Sequence, residues 1–132
     1  MNNEAIIDEF RASQGKLGGM FAGMNLLLIT VTGAKSHKEY TIPVAYTMDK
    51  DTIIIVASKG GSDTSPDWYY NLKANPRARV ELGSESFEVE ATEADEPERV
   101  RLYAQHADQY PGFIEYQEKT TRKIPVFVLK KV

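Results

Sequence analysis

The chain contains no cysteine. Disulfides, thiolate nucleophiles and cysteine metal sites are therefore excluded, and a reducing compartment suits it. Histidine is almost as scarce, with only His37 and His106. A histidine-rich metal site is excluded, and no metal ligand set is assigned. Long apolar runs are also missing. The longest, MNLLLITVTG, is far too short to span a bilayer, and the opening MNNEAIIDEFRASQGK carries acids where a secretory leader would be apolar. Nor is there an excess of positive charge: 16 Lys and Arg stand against 19 Asp and Glu, a formal net charge of −3. A phosphate-backbone binder usually shows a basic face, so nucleic acid is not the expected partner. The expectation is a soluble, cytoplasmic protein.

What is present is an ordinary globular mixture, 42% hydrophobic and 27% charged over 132 residues, enough for one domain with a core of its own. Residues 1–24 read as an N-terminal helix followed by a glycine-rich connection, and residues 25–132 as a barrel. Ile6, Ile7 and Phe10 recur at helical spacing, with Gly15 suited to the helix end. GKLGGMFAGM, 15–24, suits a flexible connection that packs on the barrel, and leaves peripheral membrane contact open. NLLLITVT (25–32) reads as a buried strand. YTIPVAYTM (40–48) and TIIIVAS (52–58) read as a hairpin, and Pro43 points to an edge or a bulge. Ser65 and Pro66 suit a helix start, and that helix must stop before Pro76. RARVEL (77–82) and SFEVEATEA (86–94) form a second hairpin across Gly83-Ser84. Asp95 and Glu98 fit a capping box for a helix with Val100, Tyr103, Ala104 and Ala107 on one face. KIPVFVLKKV closes the chain as a strand. The fold class is mainly β with short helices. Six antiparallel strands in so short a chain favour a small barrel, because closure hides strand edges.

Four groups could carry chemistry. TGAKSHKEY (32–40) places Lys35 and Lys38 in the first inter-strand turn, but GxxxxGK[ST] is absent, so no Walker-type nucleotide site is claimed. SKGGSDTSP (58–66) lies between a strand end and a helix start, where backbone N–H groups attract anions. Lys59 adds a charge, and Gly60 and Gly61 allow close approach. Trp68, Asn71 and Leu72 share one face of the following helix, a face that reads first as core packing. Tyr110, Phe113 and Tyr116 recur every three residues, an aromatic stripe that either packs or lines a flat ring. No nucleophile–base–acid set and no paired carboxylates stand out. An enzyme of this sequence would rely on a bound cofactor for its chemistry.

NLLLITVTGAKSHKEYTIPVAY, ASKGGSDTSPDWYYNLKANPRARVEL and YPGFIEYQEKTTRKIPVFVL together resemble the deazaflavin-dependent nitroreductase family over roughly residues 25–132, most specifically in ASKGG followed by PxWYxNLxANP. The resemblance implies an FMN-binding-like split β-barrel of six to seven antiparallel strands, either monomer or homodimer. It also implies coenzyme F-420, an 8-hydroxy-5-deazaflavin with a phospholactyl-oligoglutamate tail, and hydride transfer to a quinone, nitro compound or other unsaturated acceptor. On it, Lys35 and Lys59 face the phosphate and acidic tail. Pro43, Ala57, Ser58 and Gly60 lie along the ring and turn, and Trp68, Asn71 and Leu72 close the cofactor groove. Tyr110, Phe113 and Tyr116 line the acceptor pocket, with Ser58, Tyr110 and Tyr116 as the candidate catalytic groups. The sequence departs from the family pattern at Ala34, His37 and Tyr40, which stand where an arginine, a glycine and an arginine are usual. FMN remains the alternative cofactor, and a non-catalytic cofactor-binding barrel the alternative role. Phe113, where a tyrosine is common, shifts the expected acceptor from nitro compounds toward quinones.

Overall fold

Alternating apolar and polar residues build one seven-stranded antiparallel sheet in the computed structural model, which describes residues 3–15 and 25–132. Its strands are β1 (Leu26–Thr32), β2 (Glu39–Ala45), β3 (Thr47–Asp49), β4 (Thr52–Val56), β5 (Arg77–Leu82), β6 (Glu85–Glu93) and β7 (Val126–Lys131). Four α-helices accompany them among the described residues: α1 (Asn3–Ser13), α2 (Asp67–Ala74), α3 (Glu98–Gln109) and α4 (Gly112–Glu118). The strand order is β2-β1-β5-β6-β7-β4-β3. β2 and β3 lie at opposite ends of that order, yet only Tyr46 separates them in the chain. The sheet therefore curls until its two ends meet, which is the split barrel expected from the sequence.

The two faces of the curled sheet bury two clusters, as the two-residue side-chain period requires. Leu27, Ile29, Val31, Ile53, Ile55, Val80, Val89, Phe127 and Leu129 form the larger one, with Leu72 of α2 and partly buried Trp68 and Tyr69 packed against them. Ile54, Val56 and Val126 point the other way, onto Leu102, Tyr103 and Ala107 of α3, with Phe113 and Tyr116 of α4 alongside. In β6, Val89 and Ala91 are buried while Glu88, Glu90 and Thr92 are exposed, the wet and dry faces expected for that strand.

Four expectations are corrected. The 40–48 strand is two strands: residues 39–45 pair with β1, and only Thr47–Asp49 pair with β4. The break falls at Tyr46, whose N–H donates to the Asn25 carbonyl at 3.0 Å. At α2 the helix starts one residue late, with Pro66 at its N-cap and no side-chain cap; the Ser65 hydroxyl is instead a partner of Arg122. The capping box before α3 does not form, because Pro97 takes the N-cap and the Arg99 N–H bonds the Asp95 main-chain carbonyl at 2.9 Å. The buried stripe of α3 is Leu102, Tyr103, His106 and Ala107, whereas Val100 is 52% exposed. Leu102 and His106 draw the helix onto the sheet by a face rotated from the one expected. The 15–24 connection lies outside the described residues except for Gly15.

Candidate active site

The site begins with two asparagines. Asn71, on α2, and Asn75, at its C-cap, lie four residues apart and reach the same neighbour. Asn71 Oδ1 accepts the N–H of Ala34 at 3.0 Å, and Asn75 Nδ2 donates to the Thr32 carbonyl at 3.3 Å. They fasten α2 to the β1–β2 connection. That connection is braced from within: the Gly33 N–H donates to the Lys38 carbonyl at 2.7 Å, the Lys38 N–H donates to Ser36 Oγ at 3.2 Å, and the Ser36 and Tyr40 hydroxyls lie 2.8 Å apart. Between helix and hairpin runs a groove of about 790 Å³, lined by Val31, Gly33, Ala34, Lys35, Ser36, Tyr40, Ile42, Asp67, Trp68, Tyr70 and Asn71. That volume is in the range of sites that hold cofactor-sized molecules. Three aromatic rings flank the groove, and Lys35 supplies a cation at its tip.

The turn after β4 is the second part. Ser58 is right-handed (φ −77°, ψ −40°), while Lys59, Gly60 and Gly61 follow at φ 49°, 64° and 85°. A right-handed residue followed by a left-handed one aims successive N–H groups at a common point, a concavity suited to an anion. Lys59 and Gly60 are exposed, whereas Ala57 and Ser58 are buried. The glycines divide in role. A Cβ on Gly60 would meet nothing within 4 Å, but one on Gly61 would lie 2.7 Å from the Tyr116 carbonyl oxygen. Gly61 is there so that α4 can pack on the turn; Gly60 leaves the surface open.

Arg122, which sequence reasoning missed, organises this turn. Its guanidinium donates to the carbonyls of Ser58 (2.8 Å), Ser62 (2.7 Å) and Ala57 (3.3 Å) and to Ser65 Oγ (3.3 Å). Thr120 Oγ1 adds a bond to Asp63 Oδ1 at 2.9 Å. The run TTRK offers no periodicity that would mark one arginine, because all four acceptors lie 57 or more residues earlier.

The structure separates the sequence-predicted site residues. Lys35, Trp68 and Asn71 meet in the groove. Leu72 is fully buried in the core and supports the wall from behind. Pro43 neighbours groove-lining Ile42, and strand alternation turns it to the opposite face. Ala57 is fully buried. Tyr110, expected in the acceptor pocket, is buried, and its hydroxyl donates to the Tyr46 carbonyl at 2.8 Å and accepts from Gln109 Nε2 at 3.1 Å, which ties α3 to the Tyr46 crossover. Phe113 packs edge-on against His106 at 4.5 Å between ring centroids, and its carbonyl accepts the Tyr103 hydroxyl. Tyr116 stacks edge-on with Phe113 at 5.1 Å and stays half-buried. The stripe is therefore largely packing around α3. His106 sits at its centre, fully buried, with Nδ1 3.0 Å from Thr47 Oγ1 and no hydrogen-bond partner for Nε2 among the described residues. Burial lowers its pKa to about 4. No cluster of possible metal ligands occurs among the described residues, and no helix there is long and apolar enough to cross a membrane.

A curled antiparallel barrel with an aromatic groove tipped by a lysine belongs to the flavin split-barrel class. Comparison with known proteins narrows this. The family model described as F-420H(2)-dependent quinone reductase matches residues 4–131, and the chain belongs to that family. It is 38% identical over 129 residues to an F-420H(2)-dependent quinone reductase of Mycobacterium tuberculosis, covering 92% of this chain and 85% of that one. A solved F-420-H(2)-dependent reductase matches with a TM-score of 0.74 and 38% identity, over 80% of this chain and 94% of that chain. A second solved chain, described as a domain-swapped dimer, matches with a TM-score of 0.76 and 35% identity over 96% of each. The protein is thus an oxidoreductase of the coenzyme F-420 class.

Proposed function

We propose that the protein reduces a quinone with reduced F-420, and that the groove between α2 and the β1–β2 hairpin holds the cofactor. The observation that carries this reading is the groove itself, large enough for the group, walled by Tyr40, Trp68 and Tyr70, and tipped by Lys35. Aromatic walls suit a planar ring, and a cation suits a phosphate. When bound, reduced F-420 supplies a hydride, and a quinone that takes this hydride and one proton from solvent becomes the hydroquinone. Trp68 and Tyr40 exclude water from the groove and orient the ring. Asn71 holds the Ala34 backbone, and with it the base of the tip, in place. Lys59, exposed at the end of β4, adds positive charge beside the Ser58–Gly60 turn.

Quinones are placed ahead of nitro compounds on family membership. Phe113 does not decide it, because its ring is committed to the packing around His106. A titration of the purified protein with F-420 and with FMN, followed by turnover with a quinone and a nitroaromatic, tests the reading. Tight binding of F-420 alone with quinone turnover is the expected outcome, and Trp68→Ala should weaken F-420 binding while the barrel stays folded. Normal F-420 affinity in both Trp68→Ala and Lys35→Ala would remove the groove from the reaction. Oligomeric state is read separately, by light scattering. One match is a domain-swapped dimer, and a homodimer is the proposed state here.

A further inference from the structure

Among the described residues, the groove lining contains one cation and one anion, Lys35 and Asp67, so the described lining of a site proposed for a polyanionic cofactor is formally neutral. Asp67 is the first residue of α2, exposed, in the turn where N–H groups and the helix dipole favour negative charge. A carboxylate there is good for the helix. It also fills, with the protein's own charge, the place where the field would otherwise draw a ligand anion, and it repels further carboxylates along the groove. We infer that Asp67 is a specificity residue that discriminates against the acidic tail of the cofactor while leaving recognition of the ring unaffected. The aromatic walls then carry most of the affinity, and Lys35 balances a single anionic group. This inference rests on the groove being the cofactor site.

The two electrostatic roles of Asp67 predict opposite signs. Asp67→Asn removes a favourable helix-end charge, so the melting temperature should fall slightly. It also removes repulsion, so affinity for the tail-bearing cofactor should rise. Exposed charges of this kind change binding by about two- to fivefold at low ionic strength, and the gain should shrink as salt screens it.

The test is a fluorescence titration of full-length wild type, Asp67→Asn, Lys35→Ala and the double variant. Two probes are used: F-420 with its oligoglutamate tail, and the ring-and-ribityl deazaflavin that lacks phosphate and tail. Expected is tighter binding of F-420 by Asp67→Asn, weaker binding by Lys35→Ala, near wild-type binding by the double variant, and unchanged binding of the tail-less probe throughout. If wild type binds both probes and Asp67→Asn changes them equally or not at all, the specificity role is overturned while the groove assignment stands. If wild type binds neither probe, the groove assignment fails and this inference goes with it. Misfolding of Asp67→Asn would weaken both probes, the reverse of the predicted signature; Asp67→Ala then provides the second variant, with the same selective gain expected and an equal effect on both probes again overturning the role.

Discussion

At the scale of single residues, backbone conformation separates function from packing. Lys59 adopts φ 49°, a region that costs a non-glycine residue about 1 kcal/mol or more, and two glycines follow it in the same region. A glycine at 59 would relieve the strain. Lys59→Gly should therefore raise unfolding stability by about 1 kcal/mol while weakening F-420 binding, and Lys59→Ala should weaken binding without the gain. Chemical denaturation alongside titration checks both, and unchanged F-420 affinity in the two variants would reduce Lys59 to a solvated turn residue. The neighbouring glycines predict a contrast of their own. Gly61→Ala would drive a Cβ into the Tyr116 backbone and should cost several kcal/mol. Gly60→Ala, with open space around it, should cost only the strain of its positive φ, about 1 kcal/mol. Lys35, Lys59 and Trp68 stand out in the sequence as charges or a large ring beside a turn, and the structure sets Lys35 and Trp68 in one groove. The separation of Gly60 from Gly61 does not stand out, because it depends on α4, some 50 residues later.

At the scale of elements, the site is held by side chains that bridge distant segments. Arg122 takes four acceptors of the 57–65 turn, two of them carbonyls of the buried residues Ala57 and Ser58. Removing it leaves polar groups unpaired, which costs about 1–3 kcal/mol. Arg122→Gln should lower the melting temperature and raise KM for reduced F-420. Arg122→Lys should recover only part of either, because a point charge cannot replace a planar fork. A KM that stays at the wild-type value despite the stability loss would confine Arg122 to the fold. Many element types were legible: α1, α2 to within a residue, both hairpin turns and the final strand lie where apolar periodicity and Gly/Pro punctuation put them, whereas α4 showed only as an aromatic stripe and the 40–48 strand divides in two. In helix α3 Tyr103 and Ala107 are buried as expected, but Leu102 and His106 complete the buried face in place of Val100 and Ala104, a choice that depends on packing against β3, β4 and β7. Of the aromatic stripe, Tyr110 is buried at the α3 C-cap, while Phe113 and Tyr116 stay half-buried on α4.

At the scale of the whole molecule, His106 links the barrel to pH. Its folded pKa of about 4 lies below the ordinary value of 6.5. The unfolded chain thus binds a proton that the native state refuses between those values. The contribution is complete above about pH 6.5, falls as pH drops toward 4, and amounts to on the order of 3 kcal/mol over that window. Denaturant melts of wild type and His106→Gln from pH 7.5 to 4 should show a steeper decline in wild type, and parallel curves would mean that the histidine titrates normally in the fold. The strand order has a consequence for synthesis. β7 lies inside the sheet, between β6 and β4, although it follows the other six strands in the chain. Until residues 126–131 leave the ribosome, β2-β1-β5-β6 and β3-β4 are two sheet fragments joined through Tyr46, with the bonding edges of β4 and β6 both open. The barrel cannot close without β7, so this strand acts as the molecule's zipper, and the interval before it arrives is when the open edges of β4 and β6 are most exposed to aggregation.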